Sequence, residues 1–281
     1  MLKKKIKWLV SVLFLFTLLF SFALQPKVAY ADMGPKPASY ITIKGVEGEY
    51  VACFAAKSAS GPNYDYDNWL KNDYKYVDYN PIMEYKDADG FRWITRYYEC
   101  EGETEISFTY YCPSEYKIVI YQNGELLIAT KPLEMYAFST YYEIDFSNAT
   151  VTTPEQIQVK SSYDYLGEIL NLLVRIILTL GIEIGLFYLF RLYTKRNFTV
   201  VLVVNLITQI FLNVAVNVVH FTSGALSAML LLVALEFAIL IVVFIAYQIL
   251  FKDKKRWKIL LYPLLANALS FACGFILFGF M

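Results

Sequence analysis

Hydrophobic positions in this chain follow two different periods. From residue 165 onward, apolar side chains run almost without interruption in four stretches, about 166–190, 198–219, 225–250 and 259–280. Each reaches or exceeds the ~20 residues that carry a helix across ~30 Å of hydrocarbon. Upstream the pattern shortens to alternation: Ile106, Phe108 and Tyr110 fall on one face of 105–110, and Glu105, Ser107 and Thr109 on the other, the period-two mark of a half-buried strand. Strands over 117–121 and 126–128 flank Asn123-Gly124, a dipeptide that tolerates the positive φ angles of a two-residue hairpin loop. Further strands are predicted over 40–44, 50–55, 91–98 and 141–146, spaced as in a small sandwich. The expected fold is an all-β, sandwich-like extracytoplasmic domain over 32–161, followed by an all-α bundle of four transmembrane helices over 162–281.

A fifth apolar run lies at the start. Lys3, Lys4, Lys5 and Lys7 precede Trp8 to Leu24, and Ala29-Tyr30-Ala31 follows Pro26. A basic start, an apolar stretch and small residues at the −3 and −1 positions of a cut after Ala31 make residues 1–31 a secretory signal peptide. An uncleaved signal anchor is the rival reading, because the run is slightly long. Both send residue 32 onward across a membrane.

Composition agrees: 57% of residues are apolar and the mean hydropathy is +0.43, on the membrane side of ordinary globular usage. The formal charge of zero hides a segregation. Between residues 32 and 165 there are 21 acids against 11 bases, an acidic domain that does not suit nucleic acid as a partner. The positive charge gathers in the breaks between spans. Arg191, Lys195 and Arg196 fill the first, and Lys252, Lys254, Lys255, Arg256 and Lys258 outnumber Asp253 in the third. Lys and Arg mark cytoplasmic loops. The middle break, 220–224, carries neither and belongs outside, with the exported domain and the C-terminus on the same side.

Polar residues inside the spans are then the chemistry to explain, since lipid excludes them. Counting ~1.5 Å of rise per residue from the cytoplasmic ends puts Glu183, Asn205 and Asn267 at one depth and Arg175, Glu236 and Asn213 at another. The expectation is two stacked polar layers, with Arg175 neutralising Glu236 and Glu183 left without a cation. Asn205, Gln209, Asn213 and Asn217 recur every four residues, one slowly winding stripe on a helix. Amides so placed either bond across helices and hold a bundle together or line a hydrated path. Gly181 and Gly185 bracket Glu183 with a small-xxx-small spacing that lets a neighbouring helix approach.

In the exported part, Tyr64, Tyr66 and Trp69 alternate with Asp65 and Asp67, as in surfaces that bind sugars or proteins; an irregular loop covering a sheet edge is the plainer account. Asp87-Ala88-Asp89-Gly90 hints at a calcium loop, but its first and twelfth ligand positions hold Tyr85 and Arg96, so a turn between strands is expected and no metal. Cys53, Cys100 and Cys112 form no closed disulfide set. With a hairpin tip at Gly102, Cys100 and Cys112 lie too far apart to bridge; Cys53 bridging either one, or three buried free thiols, remain open.

No catalytic residues are assigned and no cofactor is expected. His220 is the only histidine, which excludes schemes that need a histidine pair, and no phosphate loop or Gly-x-Ser-x-Gly motif occurs. The segment Ala31-Asp32-Met33-Gly34-Pro35-Lys36-Pro37, the Asp87 to Phe91 turn, and the spans carrying Glu183, Asn205-Leu206-Ile207-Thr208, Glu236 and Ala266-Asn267-Ala268-Leu269-Ser270 together resemble a family of bacterial exported membrane proteins with no established activity. The resemblance covers nearly the whole chain after residue 31 and implies a shared architecture without a site. The expectation is a multi-pass protein of the bacterial plasma membrane, non-enzymatic, sensing or serving a complex through its exported domain. Its partners are the lipid bilayer and either another envelope protein or a cell-wall glycan. The alternative is a transporter or channel component built on the Glu, Arg and Asn layers.

Overall fold

The structure, a computed structural model, describes residues 34–57, 81–150, 153–251 and 256–278. The signal-peptide segment, the charged residues 252–255 and the aromatic stretch with Tyr64, Tyr66 and Trp69 lie outside them. The chain divides into a sheet-rich unit, Gly34–Asp164 with His220–Gly224, and a helical unit built from Tyr165 onward.

Nine strands occur among the described residues of the sheet-rich unit: β1 (Ala38–Lys44), β2 (Glu49–Ala56), β3 (Arg92–Glu101), β4 (Thr104–Phe108), β5 (Glu115–Gln122), β6 (Glu125–Ala129), β7 (Leu133–Glu134), β8 (Ser139–Asp145) and β9 (Gln158–Ser161). One sheet runs β4-β1-β8-β9 and the other β3-β2-β5-β6, with β7 beside β5. The first sheet is mixed: β1 pairs parallel with β8 and antiparallel with β4, Ile41 standing between Tyr142 and Ile106. Inward residues of both sheets fill one core. Ile41, Ile43, Ile106 and Ile144 come from the first; Ala52, Phe54, Ile94, Ile118 and Ile120 come from the second. The Phe54 ring sits at its centre against Phe108 and Tyr116, with centroids 5.4 Å away in both cases.

The second sheet is covered on its other face as well. Cys53, Ala55, Trp93 and Val119 pack there with Ile82, Tyr85 and Phe91, delivered by the 3-10 helix Pro81–Glu84 and the turn after it. That is why β2 is buried almost throughout instead of alternating, as strands covered on both faces are. Asn123 and Gly124, with φ of 53° and 80°, make the expected two-residue hairpin between β5 and β6. The hairpin expected at Gly102 does not form. β3 and β4 lie in different sheets, and Gly102, at φ 59°, carries the chain from one to the other.

Among its described residues the helical unit holds three helices, α1 (Tyr165–Leu189), α2 (Lys195–Leu250) and α3 (Arg256–Phe278), where four were expected. The expected break at 220–224 is the reason. Helical structure runs through it, and only Gly224 departs, at φ 82° and ψ 173°. A straight helix of 56 residues is ~84 Å long, yet Tyr247 and Asn205 are hydrogen-bonded. α2 therefore doubles back at Gly224 into two arms, and one glycine is enough because it alone takes that backbone conformation without strain.

The ends are specified locally. α1 stops in a Schellman motif: Arg191 at φ 54° donates to Tyr188 O, and Leu192 N to Phe187 O, with Leu192 and Phe187 packed in one cluster. Thr194 caps α2 by accepting from Asn197 N at 3.1 Å. Within α3, Pro263 has no N–H for the carbonyl of Ile259, and Gln248 Nε2 supplies it at 3.3 Å.

Burial in α1 runs opposite to that of a helix in water. Its buried face is Arg175, Ile176, Thr179, Glu183 and Phe187, while Leu166, Val174, Ile177 and Leu189 on the remaining faces are more than half exposed. Two helices, α1 and α2, are long and apolar enough to cross a membrane.

Candidate functional site

Positions 175, 179, 183 and 187 share one face of α1 because a residue and its fourth successor lie one above the other. That face delivers Glu183, 1% exposed, into the helical unit. Facing it, the first arm of α2 supplies Asn205, whose side chain is within hydrogen-bonding reach of the Glu183 carboxyl. The second arm supplies Tyr247, which donates to Asn205 Oδ1 at 3.1 Å, leaving the amide N–H of Asn205 for Glu183. From α3, Tyr262 donates to the backbone carbonyl of Glu183 at 3.1 Å, and its ring stacks on Tyr247 at 5.7 Å. Glu236, on the second arm, is close enough to act on Glu183 electrostatically. Every helical segment thus contributes to one polar cluster. It has an open valence: Glu183 Oε2 is buried with no hydrogen-bond partner.

The remaining polar residues predicted inside the spans are placed as follows. Arg175 donates to Asn217 Oδ1 at 2.9 Å, and the carboxylate acting on it is Glu168; among the described residues it forms no ion pair with Glu236. Asn213 turns back to Gln209, donating to its carbonyl at 2.8 Å. Asn267 likewise donates to Pro263 O at 2.9 Å, with its Oδ1 buried and unpartnered. Glu183 and Asn205 are therefore brought together, whereas Arg175 is bonded to Asn217 and Asn213 to Gln209. Tyr247 and Tyr262 are the members that sequence reasoning missed. Their signal was a hydroxyl on an otherwise apolar helix, which a hydropathy pattern counts as apolar.

In the sheet-rich unit the Asp87 to Phe91 segment is a turn, with Asp87 Oδ1 accepting from Phe91 N at 2.9 Å. The cation beside it is a side chain. Lys117 Nζ stands 2.6 Å from Asp87 and 3.0 Å from Asp89, with the Phe91 ring at 4.5 Å. Burial pushes the Asp87 carboxyl up, but hydrogen bonds from Lys117 and Phe91 N outweigh it and hold the group below the usual carboxylate range. Burial lowers Lys117, and its bonds to Asp87 and Asp89 reverse that and raise it. Cys53, Cys100 and Cys112 are free and buried. Cys53 packs on the outer face of the second sheet and the other two in the core, so no bridge from Cys53 is made. No cluster of three or more His, Cys, Asp or Glu side chains able to hold a metal occurs among the described residues.

The outer face of the first sheet is a second polar surface. Tyr40 stacks on Tyr141 at 5.0 Å, and Thr42 stands in register between Glu105 and Glu143. Lys44 bridges Glu143 at 3.1 Å and Glu103 at 3.3 Å. Comparison of the chain with protein-family models, curated proteins and solved structures finds no match.

Proposed function

We propose that this is a multi-pass membrane protein of the bacterial cell envelope, with a sandwich-like exported domain that binds a ligand or partner protein and a helical region that responds from within the bilayer. Its role is non-enzymatic, as a sensor or as a subunit of a membrane complex, and the resemblance to exported bacterial membrane proteins fits that reading. α1, the two arms of α2 and α3 would be the four crossings. The Lys and Arg residues beside Arg191 and Lys258 would face the cytoplasm, with Gly224 and the C-terminus outside. Reporter fusions after Lys195, Ser223 and Met281 test this; an inside signal at Ser223 would overturn it.

The observation that carries the proposal is the Glu183 carboxyl, buried with one oxygen unpartnered. A buried uncompensated carboxyl opposes folding, so its presence inside apolar helices points to use. The decisive comparison is rescue of a null strain by Glu183→Gln and Glu236→Gln at equal membrane levels. Both are expected to fail, and full rescue by both would sink the reading. The same unpartnered oxygen favours a second reading, a transport or channel component. For that reading, flux into proteoliposomes should disappear in Glu183→Gln.

A further inference from the structure

The residues at which α2 reverses, His220–Gly224, belong to the sheet-rich unit. What holds them there follows from an unmet need. The last carbonyls of a helix have no N–H of their own segment to accept from, and the break at Gly224 puts Phe221 among the last residues of the first arm. Phe138, in the loop between β7 and β8, supplies the missing donor. Its N–H bonds Phe221 O at 2.8 Å, while its own carbonyl accepts from Ala38 N at the start of β1. Phe138 comes this close because Gly224 carries no side chain; a Cβ there would stand 2.6 Å from its ring. The Phe221 ring adds an edge contact to Tyr163 at 5.4 Å and a stack on Tyr136 at 6.4 Å. Tyr163 lies just before α1 begins, and the Tyr136 hydroxyl is bonded to the backbone of Tyr141 on β8 and to Ser161 on β9. One aromatic cluster thus fixes both the lead into α1 and the reversal of α2. Its outermost member is Tyr141, which meets Tyr163 at 6.1 Å and stacks on Tyr40 on the open face of the first sheet.

We propose that the cap on Phe221 is a clasp: closed, it joins the reversal of α2 to the sheet-rich unit, and its opening is the step by which events on the exported side reach the helices. The proposal rests on the reading of this protein as a sensor or complex subunit. Coupling needs an element with two arrangements whose balance both sides can bias, and the clasp meets that requirement. It is held by one backbone hydrogen bond and two ring pairs at a half-buried residue. That is a small set beside the core of the two sheets, so the clasp opens locally while the sandwich stays folded. Phe138 N and Phe221 O lose no bonding when it opens, because each can turn to water. A displacement of Tyr141 bears directly on Tyr136 and Tyr163, the two residues that seat Phe221.

The test is hydrogen–deuterium exchange of the purified full-length protein in detergent, read together with rescue of a null strain. In Phe221→Ala, peptides that contain Phe138 and the reversal at 220–224 should exchange about tenfold faster, the effect of losing two ring pairs, while peptides from β2 keep the wild-type rate. The same variant, at equal membrane levels, should fail to rescue. Phe221→Tyr, which keeps the ring, and Ser223→Ala beside it should match wild type in both measurements. Full rescue by Phe221→Ala despite faster exchange overturns the proposal, because the clasp then opens without consequence. Unchanged exchange at Phe138 overturns it too, as does acceleration that spreads to β2, which makes Phe221 a residue of the fold and no more. If Glu183→Gln fails to rescue and Phe221→Ala succeeds, the functional reading stands and the clasp alone is removed.

Discussion

Tyr247 donates a hydrogen bond of 3.1 Å to Asn205 Oδ1, tying together two positions 42 residues apart on what is otherwise a single helix. That bond closes the hairpin in α2 and also orients the amide that faces Glu183. Removing the hydroxyl in Tyr247→Phe keeps the ring stacked on Phe251 at 4.6 Å and on Tyr262 while leaving the Asn205 oxygen unpaired. Inter-helix bonds of this kind contribute about 0.6 to 2 kcal/mol inside membranes. The expected result is a measurable fall in the thermal midpoint of the detergent-solubilised protein, with unchanged helix content by circular dichroism. An unchanged midpoint would mean that the arms are held by apolar packing alone.

The reversal itself depends on Gly224. Its φ of 82° and ψ of 173° fall in a region essentially reserved for glycine, where another residue costs roughly 1 to 3 kcal/mol. Space adds to the restriction, since a Cβ there would stand 2.6 Å from the ring of Phe138. Gly224→Ala is therefore expected to reduce the yield of folded protein and its thermal midpoint, whereas Ser223→Ala beside it should leave both near wild type.

How much of this was legible follows from what each pattern encodes. Strands β1 to β6 and β8 lie within a few residues of the predicted ranges, because alternation and the Asn123-Gly124 dipeptide are local signals. β7 has two residues, and the four residues of β9 are all exposed, so neither carries a periodic mark. The Gly102 hairpin was mistaken because a glycine at a turn does not say whether the chain returns to the same sheet. In the helices, depth counted along the axis paired Glu183 with Asn205. It reports height and not direction around the axis, and so it set Arg175 against Glu236 although Arg175 faces Asn217. The segment His220-Phe221-Thr222-Ser223-Gly224 reads as a loop from sequence because it is mostly polar and ends in glycine, yet only Gly224 leaves helical geometry.

Phe54 tests the shared core of the two sheets. It is 1% exposed and touches rings from both sheets, Phe108 on β4 and Tyr98 and Tyr116 on its own. Truncation to alanine in such a site costs about 3 to 5 kcal/mol, a large share of the roughly 5 to 15 kcal/mol that a domain has. Phe54→Ala should shift denaturant unfolding of the sheet-rich unit strongly, followed by near-ultraviolet circular dichroism of its many tyrosines. Val159→Ala, on the exposed edge strand β9, should move it by less than about 0.5 kcal/mol.

Lys117 makes the stability of the same unit depend on pH in two directions. The Asp87 carboxyl is held below its ordinary value, so its contribution is present above the unfolded carboxylate pKa of about 3.9 and is lost as pH falls through the lower folded value. The Lys117 ammonium is raised; its contribution is complete below the unfolded lysine pKa of about 10.4 and is lost as pH rises through the higher folded value. Wild type should therefore be least stable at the two extremes, with a plateau between. In Lys117→Met the ammonium is gone, Asp87 keeps the Phe91 N–H and the Tyr85 hydroxyl as donors, and burial then acts on a carboxyl that has lost its cation. The variant is expected to melt lower than wild type at pH 7, to regain part of the difference near pH 4 as Asp87 is protonated, and to lose the decline above pH 10 that belongs to this pair. Thermal midpoints of both proteins across pH 3 to 11 decide the matter, and parallel curves would show that the pair contributes nothing through its charges.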